Sequence, residues 1–305
     1  MSASWPSLVT AWSEFLGPTR RPWYVVEHAV NALPEAERGP ALAWLEAQIA
    51  ASAEGPRRTT FASSWLALLE RGAPDRRAEL FDGIVVDNHH FGHGAVAQIV
   101  RRAAGLRELS LFECFVEGGV EALFPEGVAW TKLEFLSLRS TARLDGVIKR
   151  LAHARWTGAL ERLDLEDEAP LAGEELAGLL EPARVPRLRR LCLRPIQPSG
   201  AWMTWLSSTG LLEQLETLEL HLMPTGDSQA WIRALAARAM PALRELTLVA
   251  RGADISKGLL DALVDGRSRP RLARLDLRVR SAPRGSVDAL RSRYPKLDAD
   301  VDAYD

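Results

Sequence analysis

LRELSL at Leu106–Leu111 returns as LEFLSL at Leu133–Leu138, LERLDL at Leu160–Leu165 and LRRLCL at Leu188–Leu193. It returns again as LETLEL at Leu215–Leu220, LRELTL at Leu243–Leu248 and LARLDL at Leu272–Leu277. The first leucines lie 27, 27, 28, 27, 28 and 29 residues apart. A near-constant period over seven copies marks a chain built from one repeated supersecondary unit. Within one copy, Leu109 and Leu111 are two apart, so in a strand they point to one face, while Glu108 and Ser110 point to the other. A lone strand of this kind cannot bury its leucines. Stacked copies bury them as one continuous column, each repeat supported by its neighbours.

The residues between hexads supply the second half of the unit. Leu144, Val147, Ile148 and Leu151 follow the spacing of an amphipathic helix. Leu176, Leu179 and Leu180, then Ile232, Leu235 and Ala239, then Leu259, Leu260, Leu263 and Val264 repeat that pattern. One strand and one helix in about 28 residues resembles the ribonuclease-inhibitor-like class of leucine-rich repeats. That resemblance implies an α/β fold, a right-handed solenoid with a parallel sheet on its concave side and helices on its convex side. The family usually places Asn or Cys three residues after the last leucine, where it bonds the turn backbone. Here the position holds Cys114, Thr141, Glu168, Ile196, Met223, Arg251 and Arg280. Only Cys114 fits, so other groups are expected to hold the turns.

Composition narrows the function classes. The formal charge of the 305 residues is −2 with 26% charged residues, which gives no global attraction to nucleic acid or an acidic membrane. No run approaches the 18 apolar residues of a membrane span. MSASWPSLVTAW has no basic region ahead of a long apolar run, so no signal peptide is expected. Arginine outnumbers lysine 34 to 4, a bias expected of a GC-rich bacterial genome. Strands about 4.8 Å apart would hold Cys114 and Cys192, three repeats apart, roughly 14 Å from each other, beyond disulfide reach. A reduced, cytoplasmic protein is the expectation.

Residues 1–78 carry no hexad but hold Trp5, Trp12, Trp23, Trp44 and Trp65, half of the ten tryptophans. Leu8, Trp12 and Phe15 share one helical face; Ala41, Trp44, Leu45, Gln48 and Ile49 form most of another. Pro22, Pro34 and Pro56 sit where helices should start or break. The region is expected to be a helical cap covering the first repeat, with residues 79–305 forming the repeats. Phe81–Val86, FDGIVV, reads as a degenerate first strand with Phe81, Ile84 and Val86 in the leucine places. It precedes the His89, His90 and His93 loop and a helix over Ala95–Ala104. Those histidines invite a metal-site reading, but no Cys or carboxylate spacing beyond Asp87 completes one, so a polar helix-capping loop is expected. After the seventh hexad, Leu297–Tyr304 reads as a final strand that seals the last edge.

Equivalent positions in successive repeats form columns. One runs Arg107, Glu134, Glu161, Arg189, Glu216, Arg244, Ala273, and its charges mostly alternate. A second runs Phe112, Arg139, Glu166, Arg194, His221, Val249, Arg278, in which Arg139, Glu166 and Arg194 can pair laterally. The middle column is Ser110, Ser137, Asp164, Cys192, Glu219, Thr247, Asp276. Asp164 has no basic neighbour in that column, and with Glu161, Glu166, Asp167 and Glu168 it makes the third repeat acidic. Residues Arg267–Arg293 carry nine arginines and so make the C-terminal end basic. Aromatic and arginine side chains dominate interface energetics. A partner-binding face is therefore expected at Phe112, Phe135, Arg139, Asp164, Glu166, Asp167, Arg194, Glu219, His221 and Arg278.

No GxSxG, HExxH, Walker A or CxxC motif occurs, and no catalytic constellation stands out beyond Cys192 and His221 on adjacent strands. The reading is a non-enzymatic binder of another protein, with no cofactor or metal and neither nucleic acid nor membrane as partner. The family resemblance implies inhibition or sequestration. Two alternatives stand beside it: an adaptor that binds through the Trp-rich helices, and an enzyme with its site in the His89–His93 loop.

Overall fold

A computed structural model describes residues 5–16, 23–51, 58–61, 69, 80–140, 143–153, 157–171, 173–197, 200–224, 228–283, 285, 288, 290, 292 and 298–303. The protein is an α/β chain whose strands pair in parallel and follow one another in sheet order. Contacts divide it into two compact units, Met1–Phe135 and Leu136–Asp305.

In the first unit, helices α1 (Trp5–Leu16), α2 (Tyr24–Asn31) and α3 (Glu35–Ala51) pack through their aromatic faces. Leu8, Trp12 and Phe15 are buried on one face of α1, as their spacing predicts. Trp12 meets Trp23 edge-on at 6.4 Å and Trp44 at 6.3 Å, and Phe15 meets Trp23 at 5.2 Å. Such edge-to-face pairs favour the positive ring edge over the negative ring face. Pro34 sits just ahead of α3, where its carbonyl accepts from Glu37 N at 2.9 Å. Trp65, Pro22 and Pro56 lie outside the described residues.

The region ahead of the first hexad also contains a strand that its composition does not announce. β1 (Thr59–Phe61) pairs in parallel with β2 (Gly83–Asp87), the degenerate strand, with Thr59 opposite Gly83. A Cβ at Gly83 would lie 2.6 Å from Thr59 Oγ1, so the close approach of the two strands requires glycine. β2 pairs in turn with β4 (Glu108–Phe112), Ile84 opposite Leu109 and Val86 opposite Leu111. Phe81, Ile84 and Val86 are buried in the leucine places. Between them run β3 (His90–Phe91) and α4 (His93–Arg101); β5 (Phe115–Val116) follows β4 and pairs with β3 as a separate two-stranded sheet. The helix starts two residues earlier than its apolar pattern, because the Glu117 carboxylate accepts from His93 N at 2.9 Å. It ends at Arg101, ahead of the expected Ala104.

The second unit holds the remaining strands in sequential order: β6 (Phe135–Arg139, from Leu136 onward), β7 (Arg162–Leu171), β8 (Arg190–Ile196), β9 (Thr217–Leu222), β10 (Glu245–Asp254), β11 (Arg274–Ser281) and β12 (Asp298–Ala303). The register sets leucine against leucine: Leu163 opposite Leu191, Leu191 opposite Leu218, Leu218 opposite Leu246, Leu246 opposite Leu275. Of the 21 leucines in the seven hexads, 20 are buried; Leu272 is half-buried. Each removes its surface from water for roughly 1.5–3 kcal/mol, so these columns hold the repeats in place. β12 continues the sheet, with Ala299 opposite Leu275 and Val301 opposite Leu277.

Helices α5 (Asp145–His153), α6 (Gly173–Leu179), α7 (Gly200–Ser208), α8 (Ser228–Ala236) and α9 (Lys257–Leu263) connect these strands. Leu144, Val147, Ile148 and Leu151 are buried as their spacing predicts, as are Leu176, Leu179 and Leu180. Ala239 is a departure: α8 ends at Ala236, Ala239 is exposed, and Met240 is buried instead. The helix ends are tied by side chains from later in the chain. Arg269, buried, donates to Leu235 O at 2.8 Å and Ala236 O at 3.3 Å at the end of α8, and to Ala262 O at 2.9 Å in α9. Arg238 donates to Thr209 O at 2.6 Å just after α7. These bonds satisfy carbonyls that a helix end leaves without intrahelical partners. Burial lowers the Arg269 pKa to about 10.

The turns after the strands are held by varied groups, as the missing Asn/Cys pattern implies. Cys114 donates its thiol to Phe112 O at 3.2 Å and to Val86 O at 3.6 Å. Asn88, Glu113 and Ser140, each two residues past the last core position of its strand, adopt positive φ of 48°, 49° and 50°. β7, β8, β10 and β11 run on past that point instead.

Candidate functional site

Strand alternation places the polar residues of each hexad opposite the buried leucines. In the second unit this displays Arg139, then Arg162, Asp164 and Glu166, then Arg190, Cys192 and Arg194. Thr217, Glu219 and His221 follow on β9. Parallel pairing sets Glu166 opposite Arg194 and Cys192 opposite Glu219, so neighbouring charges meet laterally.

A chain of ionic contacts results. Arg139 Nε donates to Glu166 Oε2 at 2.8 Å, and Arg194 Nη1 donates to the same oxygen at 3.0 Å. Arg194 Nη2 donates to Glu219 Oε1 at 2.5 Å, and His221 Nε2 lies 2.9 Å from that oxygen. Burial pushes the Glu166 carboxyl upward, but Arg139 and Arg194 outweigh it and hold the group below the usual range. The His221 hydrogen bond, opposed by burial and reinforced by Arg194, holds Glu219 down to about 2. Burial lowers the pKa of Arg194, yet the surrounding negative groups raise it overall. Arg139, Glu166, Arg194, Glu219 and His221 are thus brought together.

Asp164 is balanced along its own strand rather than across the column: Arg162 Nη2 lies 2.5 Å from Asp164 Oδ2. The two residues are two apart and share a face, as do His221 and Glu219, and Arg278 and Asp276 at 3.3 Å. This corrects the picture of Asp164 as an unbalanced charge. Its column is also closed to solvent in the middle: Ser137, Asp164 and Cys192 are buried. A central outward residue is flanked by i±2 neighbours on its own strand and by two adjacent strands. Here the flanking side chains are long and ionic.

Asp167 does not share the displayed face. It has the parity of Leu163 and Leu165, is buried, and accepts from Leu144 N at 2.6 Å and Ala169 N at 3.1 Å. Its carboxylate serves the turn and the entry to α5, a role comparable to that of Cys114 in its own repeat. Arg278 lies at the far side of the face, exposed and paired with Asp276. Two further charges expected to make the C-terminal end basic are also engaged: Arg280 bonds Asp254, and Arg269 is buried at the helix ends.

In the first unit, Phe112 and Phe135 are half-buried rather than open. Neighbouring polar contacts are Arg107 Nη2–Glu134 Oε1 at 2.9 Å and Thr59 Oγ1–Glu108 Oε2 at 2.8 Å. Among the described side chains of that unit, the most exposed aromatic is Phe115, at 60%, which the repeat columns do not include. Its signal in the sequence is weak, since it falls in a two-residue strand just past a turn.

Cys192 and His221 are not a nucleophile–base pair. His221 bonds Glu219, and burial pushes the Cys192 thiol well above its usual range, which disfavours the thiolate. The histidine loop is similarly divided. His89 meets Phe91 edge-to-face, His90 meets Phe115 the same way, and His93 Nε2 faces Glu117 Oε1 at 3.3 Å. Among the described residues no group of three or more His, Cys, Asp or Glu side chains gathers as metal ligands would. No helix among them is long and apolar enough to cross a membrane. Neither a protein-family model nor a curated protein matches the sequence.

Proposed function

We propose that the chain is a leucine-rich-repeat solenoid of the ribonuclease-inhibitor-like class. Its displayed strand face holds another protein without catalysing a reaction. One observation carries the reading: leucine sits opposite leucine from strand to strand, and the opposite side bears mostly arginine, carboxylate and histidine side chains. The core positions repeat and the displayed positions do not, which is what a binding scaffold needs. Exposed charges at Arg190 and Glu245 beside the ionic chain, and at Arg274 and Arg278 two strands beyond it, are the groups a partner would meet first. Sequestration or inhibition is the mode the family resemblance favours. A reducing, cytoplasmic setting agrees with two free, buried cysteines, and the arginine bias supports a bacterial source.

The test is purification of the tagged full chain from its native lysate, with co-purifying proteins identified by mass spectrometry. A face variant, Arg190→Glu with Arg278→Glu, alters two exposed side chains and should lose the partner while folding normally. Tyr24→Ser, on the exposed side of α2, should retain it. The opposite pattern would replace this reading with an adaptor acting through the Trp-rich helices.

A further inference from the structure

In the first unit, the small sheet β3–β5 turns Phe91 and Val116 inward and His90 and Phe115 outward. His90 and Phe115 stand opposite each other in register, rings edge-to-face at 4.8 Å and 84°. Phe115, the first residue of β5 and three residues past the end of β4, leaves 60% of its surface in water. Glu117 lies on the same side as Phe115, half-exposed, with His93 against it.

The chain segments that carry this small sheet hold charges of one sign. Residues 87–100 and 112–131 contain Asp87, Glu113, Glu117, Glu121 and Glu126 but neither lysine nor arginine, in a chain where those two types number 38 of 305. Asp87 and Glu113 are exposed at the ends of β2 and β4, from which the chain turns into β3 and β5. An exposed ring bordered by carboxylates suits a cation that packs on the ring face while its charge is met at the rim. Arginine fits better than lysine, because its planar guanidinium stacks on aromatic faces and is less strongly hydrated.

We propose that the outward face of β3–β5 docks an arginine-bearing peptide segment of a partner protein, with Phe115 as its anchor. This surface belongs to the first unit and does not depend on the reading given for the displayed strands of the second.

The experiment measures binding of a fluorescein-labelled peptide of alternating arginine and alanine to the full chain by anisotropy. Peptides with lysine or glutamate in place of arginine serve as comparisons. Expected is an affinity order of arginine over lysine over glutamate. At exposed sites a lost cation–π contact weakens binding about two- to fivefold, the effect expected of Phe115→Ser. Phe115→Tyr, which keeps the ring, should bind as the wild type does. Asp87→Asn with Glu113→Gln should weaken binding by a similar factor at low salt and by less near 0.15 M, where the screening length is about 8 Å. Equal binding of the arginine and glutamate peptides would overturn the proposal. So would an unchanged affinity in Phe115→Ser, which would mean diffuse electrostatic attraction without an anchor.

Discussion

Leu191→Ala tests the stacked-leucine core most directly. Leu191 is buried, and its register partners are Leu163 on β7 and Leu218 on β9, themselves buried. Truncation removes the transfer energy of the lost methyl groups and leaves a cavity that both neighbours line. For a buried Leu→Ala change the cost is about 2–5 kcal/mol, rising with the size of the cavity that cannot collapse. Strand pairing on both sides limits collapse here, so a value near 3–4 kcal/mol is expected within that range. At roughly 2–4 °C per kcal/mol for a unit of this size, the thermal midpoint should fall by about 6–16 °C. The internal comparison is Leu272→Ala, the first leucine of the seventh hexad and half-buried, which should cost clearly less. Leu191→Met conserves volume and should cost under about 1.5 kcal/mol. The assay is thermal unfolding followed by circular dichroism. Equal midpoint shifts for Leu191→Ala and Leu272→Ala, or none for Leu191→Ala, would refute the placement of Leu191 in a continuous core.

Further outcomes follow from individual side chains. Arg269→Met leaves the carbonyls of Leu235, Ala236 and Ala262 without their donor; at about 1–3 kcal/mol per buried orphan, less the relief of a buried charge, unfolding should be easier by about 2–4 kcal/mol in a denaturant titration. Asp167→Ala orphans Leu144 N and Ala169 N and should cost about 1–3 kcal/mol, with faster amide exchange at Leu144 as its local mark. Glu219 has a folded pKa of about 2 against an ordinary 4.5, so its stabilisation is present above pH 4.5 and is lost as pH falls toward 2. The stability gap between wild type and Glu219→Gln, at most about 3 kcal/mol near neutral pH, should therefore close across that window; a gap independent of pH would contradict the ionic role.

Much of the fold was legible because one constraint repeats. Leu191, Leu218 and Leu246 face the same requirement, to fill the next place in a buried column, so the pattern survives all local variation. Ala239 shows the limit of helical spacing: alanine is too small and too permissive to report which side of a helix end it lies on. β1 escaped notice because three residues, Thr59–Phe61, are too few to show alternation, and its pairing with Gly83 is a long-range event. Asp167 lies between Glu166 and Glu168 in an acidic run, but its parity with Leu163 and Leu165 places it on the core side. The pairing of Arg162 with Asp164 runs along one strand, whereas the repeat columns align residues only across strands.

The displayed residues were harder to interpret for a reason that lies in the energetics. Exposed ion pairs contribute roughly 0–1 kcal/mol each, so most of this face can change without unfolding the protein. That tolerance lets Glu108, Phe135, Arg162, Arg190, Thr217, Glu245 and Arg274 occupy equivalent places with no shared chemistry. The ionic chain from Arg139 to His221 is different, because its charges are partly withdrawn from water and bonded at both ends. Removing one member leaves its neighbours partly desolvated and unpaired. Arg194, bonded to Glu166 on one side and Glu219 on the other, is therefore the displayed residue least free to vary for structural reasons. Variation has its freest room at the exposed ends of the strands, where a change of side chain leaves the leucine columns intact.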